Sequence, residues 1–183
     1  MRYNKIRWED ISNGPGFRVS IFTQGCKHHC PGCFNEEAFD PNGGKEWTKE
    51  TNDKIIELLD HPYIQGLSIL GGEPLLTIID DEFIDDNIED NLLYQLVKRV
   101  KTELPDKDIY LWTGYRYDEF HGTEKRCTKM IELERYLDYV IDGRFMEDKA
   151  DPTLSLAGST NQNVYRIDSS SKYPKWLIVT PWR

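Results

Sequence analysis

Three cysteines, Cys26, Cys30 and Cys33, fall within the eight-residue run CKHHCPGC, and the fourth, Cys127, lies 94 residues further on. Thiolates at such close spacing are soft metal ligands. A cubane of four irons and four sulfides ordinarily takes one thiolate per iron. Three thiolates from one loop hold three corners and leave the last iron open. An open position is what separates a catalytic metal site from a structural one. Two other ligand sets use the same residues: a Cys3His zinc site that adds His28 or His29, and a cluster completed by the distant Cys127. The first gap holds three residues, so the spacing is not that of a bacterial ferredoxin. Pro31-Gly32 permits a sharp turn between the second and third thiols. Gly25 and Gly32 let backbone amides approach sulfur, where hydrogen bonds tune a cluster's potential. Outside a zinc site, His28 and His29 read as polar loop residues facing solvent.

These residues need elements to position them. Phe17 to Thr23 (FRVSIFT) follows the turn signal Asn13-Gly14-Pro15-Gly16 and reads as a strand that ends at the cysteine loop. Thr48 to Asp60 carries Ile55, Ile56, Leu58 and Leu59 at helical spacing, with Thr48 as N-cap. Gly66 to Leu70 is a second strand, ending in Gly71-Gly72. Leu92, Leu93, Leu96, Val97, Val100 and Leu104 form the next helical face, stopped by Pro105. Ile109 to Thr113 is a third strand, Thr128 to Leu137 a helix with Met130, Leu133 and Leu137 inward, and Tyr139 to Ile141 a fourth strand before Asp142-Gly143. The last forty residues are less regular, with a loop at Ser169-Ser170-Ser171.

Strands alternating with helices imply right-handed crossovers and a parallel sheet. Cys26, Gly71, Thr113-Gly114 and Asp142 all fall where a strand ends, the rim where parallel α/β folds bind ligands. A full eight-stranded barrel takes about 250 residues. The expected fold is therefore α/β, a partial, laterally open barrel of about five or six parallel strands, formed by a single domain over 1–183 with a variable tail from about 166. Trp112 reads as core. Cys127 reads as a small buried or incidental thiol.

Composition bounds the rest. The chain has 183 residues, 38% hydrophobic and 30% charged, with net charge −9. Ile78 to Asn91 holds seven acids and no Lys or Arg, leaving −2 for everything else, and reads as a solvated loop. No basic stripe suggests a nucleic-acid partner. No apolar run is long enough to span a membrane, and the polar opening MRYNKIRWED lacks a signal peptide's apolar stretch. The expected location is the cytoplasm, where clustered cysteines read as metal ligands rather than disulfides.

CxxxCxxC at the end of the first strand, then Gly71-Gly72-Glu73-Pro74 after the second, resembles the radical S-adenosylmethionine (SAM) superfamily. Asn13-Gly14-Pro15-Gly16, Pro31-Gly32-Cys33-Phe34-Asn35, Trp112-Thr113-Gly114-Tyr115, Asp142-Gly143-Arg144-Phe145 and Gly158-Ser159-Thr160-Asn161-Gln162 narrow the resemblance. Together they are similar to the glycyl-radical activating enzymes that serve anaerobic ribonucleoside-triphosphate reductase, from about residue 3 to 163. The branch acting on pyruvate formate-lyase shares the first blocks, but WTGY and GSTNQ favour the reductase branch. A non-catalytic zinc module is the reading from a different class.

The resemblance implies a 4Fe-4S cluster on Cys26, Cys30 and Cys33, with SAM chelating the open iron. It implies reductive cleavage to methionine and a 5′-deoxyadenosyl radical, which takes a hydrogen atom from a glycine of the reductase. A low-potential donor such as reduced flavodoxin is implied as the electron source. Gly32, Phe34, Gly71, Gly72, Glu73, Thr113 and Asn161 are the implied cofactor contacts. The glycines would let backbone touch SAM, and Phe34 would pack on adenine. Many relatives have tyrosine where this chain has Phe34, so any hydroxyl contact there is lost. Glu73 is either such a contact or a carboxylate that fixes its loop, and Thr113 and Asn161 also read as turn and cap residues.

Overall fold

A computed structural model describes residues 1–80, 87–120, 124–170 and 175–179. One sheet runs through the chain. Its strands are β1 (Arg2–Asp10), β2 (Phe17–Gln24), β3 (Lys45–Glu46), β4 (Ile64–Gly71), β5 (Asp108–Trp112), β6 (Tyr139–Asp142), β7 (Asn163–Asp168) and β8 (Lys175–Ile178), with spatial order β3-β1-β2-β4-β5-β6-β7-β8. The four central strands, β2, β4, β5 and β6, are parallel. β1 and β3 on one side and β7 and β8 on the other join antiparallel. Four parallel strands thus replace the five or six expected. The flanking strands come from the two terminal segments and from the short Lys45–Glu46, none of which carries a strand-like apolar pattern.

Helices α1 (Lys49–Leu59), α3 (Leu92–Glu103) and α5 (Glu124–Glu134) are the crossovers between the parallel strands, with short α2 (Leu76–Ile79) and α4 (Tyr117–Phe120) between them. The α3 helix starts at Asn91, whose Oδ1 accepts from the amides of Leu93 and Tyr94 at 3.1 Å each, satisfying donors that the first turn leaves unpaired. It ends at Glu103, just before Pro105. The α5 helix begins four residues earlier than the sequence suggested, yet Met130, Leu133 and Leu137 are buried as expected.

Alternation in the central strands separates two environments. Val19, Ile21, Leu67, Ile69, Ile109, Leu111 and Val140 point to the helices and form the core with Ile55, Leu59, Leu93, Leu96, Val97 and Val100. Phe22, Leu70 and Trp112, on the other face, line a cleft. Arg18, fully buried, closes the lower part of the sheet: Nε donates to Ser68 Oγ at 2.6 Å, Nη2 to the Leu67 carbonyl at 2.9 Å, and the guanidinium lies 4.3 Å over the Tyr110 ring.

The acidic stretch is more than a solvated loop. Ile78, Ile79 and Ile88 are buried, and Asn91 caps α3. The central part of that stretch, residues 81–86, lies outside the described residues. So do Trp182 and the side chains of Cys127 and Trp176. β8 places part of the tail at the sheet's edge beside β7.

Candidate active site

The cysteine loop leaves the carboxyl end of β2. It is tied at its start by Gly25 N–H to the Ala38 carbonyl (2.8 Å) and Cys26 N–H to the Phe39 carbonyl (3.1 Å), and it turns at Cys33 N–H to the Cys30 carbonyl (3.2 Å). All three thiols are free and half-buried. They open onto a cleft of about 590 Å³ lined also by Phe34, Leu70, Gly71, Gly72, Trp112, Thr113 and Phe145. The ends of β2, β4 and β5 thus meet at one rim, as strand-end chemistry requires.

Burial, and then the charge of Glu73, push the Cys26 thiol up to about 12. Burial, then Cys33, also raises Cys30. Both are protonated thiols near neutral pH, so loading with metal must release protons. The sulfurs are met by backbone donors. The Asn35 amide donates to Cys33 Sγ at 3.4 Å, the His28 and His29 amides point at Cys26, and the Phe145 amide points at Cys30. Half-buried sulfurs ringed by amides fit an iron–sulfur cluster once deprotonated.

They fit a zinc ion poorly. One zinc needs its sulfurs within about 2.3 Å of a single point. Among the described residues no three His, Cys, Asp or Glu side chains converge to hold one ion. His28 is not a solvent-facing residue, its side chain being only 7% exposed. Both of its nitrogens are engaged, with Glu73 (2.9 Å) and with Arg144 (3.1 Å), which removes it as a ligand. His29 is exposed and leans on Phe39, ring centroids 4.5 Å apart.

The other sequence-indicated residues fall into two groups. Gly32, Phe34, Gly71, Gly72, Glu73 and Thr113 gather around the thiols. Phe34 is 84% exposed, its ring 5.5 Å from Phe145 at the cleft's mouth. Gly71 and Gly72 line the cleft, but their lack of a side chain is demanded from inside the protein. A Cβ on Gly71 would lie 2.7 Å from the Phe22 Cα and Thr23 N, and one on Gly72 2.6 Å from the Gly25 carbonyl oxygen. Glu73 is 1% exposed, and both oxygens are used. Oε1 accepts from Leu75 N–H (3.0 Å) and the Thr113 hydroxyl (2.8 Å), and Oε2 from Gly114 N–H (2.8 Å) and His28.

Asn161 stands apart from this cleft, whereas Gln162 lines its far side. Gln162 caps the turn at Gly158 and Ser159 and donates to the Gly143 carbonyl. Asn161 donates to the Arg144 carbonyl (2.8 Å) and lines a second pocket of about 450 Å³ with Cys30, Arg116, Arg144 and Lys149. Its Oδ1 is buried with no hydrogen-bond partner among the described residues.

The sequence reading missed three cleft residues. Trp112 is a cleft wall rather than core, its Nε1 donating to the Leu156 carbonyl at 2.7 Å. Lys5 and Arg7 come from β1, each cation 5.0 Å over the Phe22 ring. Their alternation along RYNKIRWED was the available signal, obscured because the cleft-facing positions are basic rather than apolar.

A family model described as a 4Fe-4S single cluster domain matches residues 12–165. An anaerobic ribonucleoside-triphosphate reductase-activating protein of Salmonella typhi is 40% identical over 169 residues, 91% of this chain and 99% of the relative. The chain belongs to that family of activating proteins. The Escherichia coli K12 protein of the same name is 38% identical with the same coverage. That of Enterobacteria phage T4 is 37% identical over 90% of this chain and 94% of its own length. Membership of this activator family extends across nearly all the elements that build the cleft. No helix among the described residues is long and apolar enough to cross a membrane.

Proposed function

We propose that the chain is a radical SAM activating enzyme for anaerobic ribonucleoside-triphosphate reductase. The carrying observation is three free thiols, the only ones among the described side chains, at the rim of a cleft of about 590 Å³ at the carboxyl ends of parallel strands. Cys26, Cys30 and Cys33 would hold three irons of a 4Fe-4S cluster, leaving one for the amino and carboxylate groups of SAM. When bound, the pair supplies one-electron cleavage of the sulfonium, giving methionine and a 5′-deoxyadenosyl radical that takes a hydrogen atom from a reductase glycine and leaves as 5′-deoxyadenosine. The reductase itself comes from the names of the relatives; the electron donor is a low-potential carrier of the flavodoxin kind, and the setting is the cytoplasm.

The chain's own residues bind and orient. Carbonyls of Gly71 and Gly72 would accept from the SAM ammonium, Gly32 would let the loop approach its methionine end, and Phe34 with Phe145 would flank the adenine. Lys5 and Arg7 offset the negative charge of a thiolate-bound cluster. Glu73 holds the rim together, since its acceptor capacity is spent inside the protein, and Thr113 acts through Glu73. Asn161 serves the loop that meets the reductase. The sheet is read as a partial barrel whose open side admits the reductase's glycine segment.

The test is anaerobic reconstitution with iron and sulfide, followed by SAM and a strong reductant. A brown, reducible protein that forms 5′-deoxyadenosine and methionine supports the reading. A colourless zinc protein that leaves SAM intact overturns it.

A further inference from the structure

His28 lies two residues from Cys26 and two from Cys30. Its ring is held on all sides. Nε2 is 2.9 Å from Oε2 of buried Glu73, and Nδ1 is 3.1 Å from Nε of Arg144. A guanidinium can only donate. Nδ1 must therefore carry the lone pair, and the proton of a neutral imidazole sits on Nε2, donated to the carboxylate. The Tyr115 ring meets the imidazole edge-on, centroids 4.5 Å apart at 73°. Gly114 provides the space, since a Cβ there would lie 2.6 Å from Nε2.

Three other segments thus converge on this imidazole of the cysteine loop: the β4 end at Glu73, the β5 end at Gly114-Tyr115, and the β6 end at Arg144. The next residue, His29, has φ 47, a left-handed conformation that persists in a residue with a side chain only where its surroundings impose it. Lys27 pairs with Asp80 at the surface, 3.0 Å. His28 is the inward side chain that fastens the bend to the sheet.

We propose that His28 is the positioning residue of the cysteine loop, a bridge between Glu73 and Arg144 that sets the span from Cys26 to Cys30 for the cluster. This rests on the cluster reading above. Histidine suits the task because one rigid ring accepts from a cation on one edge and donates to a carboxylate on the other. Outer-shell partners of this kind change metal affinity or activity by about 10–100-fold when removed.

The side chains of Gln and Asn separate the two bonds. A Gln amide nitrogen reaches about where Nε2 lies, and an Asn side chain reaches only about as far as Nδ1. The test compares His28→Ala, His28→Gln and His28→Asn in the full chain by two readouts: amide hydrogen exchange over 26–34 before iron is added, and the rate of iron loss to a chelator after anaerobic reconstitution. The expected result is that H28A exchanges faster across the loop and loses iron about tenfold faster. H28Q, which keeps the Glu73 bond, and H28N, which keeps the one to Arg144, are each expected to fall between the unaltered protein and H28A. Either variant matching H28A in both readouts, or unchanged loop protection in H28A, overturns the proposal. If the unaltered protein takes up no cluster, the functional reading fails, and the exchange comparison still decides whether His28 holds the loop.

Discussion

Gly72 packs directly against Gly25, such that a Cβ on Gly72 would sit 2.6 Å from the Gly25 carbonyl oxygen. That carbonyl also accepts from Glu73 N–H at 2.7 Å. The GGEP turn and the start of the cysteine loop are therefore one packed unit, and a side chain at Gly72 disturbs the thiols before it can disturb a cofactor. Overpacking of this kind costs about 1–3 kcal/mol. Gly72→Val is expected to lower the unfolding free energy by about that amount and to reduce the iron bound, measured by urea titration and iron analysis. Unchanged stability with weakened SAM binding alone would show that the glycine serves the cofactor directly.

Cys30→Ala is expected to abolish both stable cluster and SAM cleavage, because two thiolates cannot hold three corners. Cys127→Ala is expected to leave both intact. Iron and sulfide counts with 5′-deoxyadenosine assays check this. Loss of the cluster in C127A would make Cys127 the fourth ligand and remove the open iron.

Arg18 is fully buried on the cleft side of the sheet, with Nη1 paired to Asp108 Oδ1 at 2.7 Å and hydrogen bonds to Ser68 and the Leu67 carbonyl. Arg18→Met removes the charge and strands those partners, at a cost of about 3 kcal/mol. A denaturant midpoint close to that of the unaltered protein would contradict this.

Asp10 gives a pH-dependent prediction. Burial raises its pKa, but the Ser12 amide (2.9 Å), the Asn13 side-chain amide (2.5 Å) and the Arg7 charge outweigh that and hold the carboxyl below its ordinary value. A folded pKa below the unfolded one, near 3.9, gives stability that is present above the unfolded value and lost as pH falls through the folded one. Asp10→Asn is expected to cost about 1 kcal/mol at pH 7 and progressively less below pH ~4. An equal cost at pH 7 and at pH ~3 would contradict the assignment.

The parallel half of the fold was legible because its strands alternate with capped, amphipathic helices. Phe17 to Thr23, Gly66 to Leu70, Ile109 to Thr113 and Tyr139 to Ile141 all coincide with strands β2, β4, β5 and β6 to within two residues at either end. The antiparallel flanks were not legible. β1 turns Lys5 and Arg7 onto Phe22 on the cleft face, and a register shift between Tyr3 and Lys5 interrupts the alternation of its core-packed Tyr3 and Ile6, so it lacks the regular period that marks a strand. Cysteine spacing marked the thiols. What local sequence could not supply was the set of long-range bonds at Glu73, whose partners lie 45, 40 and 41 residues away at His28, Thr113 and Gly114. A loop histidine reads as solvated until the carboxylate that receives it is placed in space.

The central claim is that three thiolates leave an iron free to take SAM and so let the chain make a radical on its partner. Mixing the reconstituted protein with the anaerobic reductase, SAM and a reductant without oxygen, and recording the electron paramagnetic resonance spectrum, tests it most directly. The account predicts a glycyl-radical doublet on the reductase that requires SAM and disappears with Cys30→Ala. A reductase that stays free of radical beside a fully loaded, reduced cluster would contradict it.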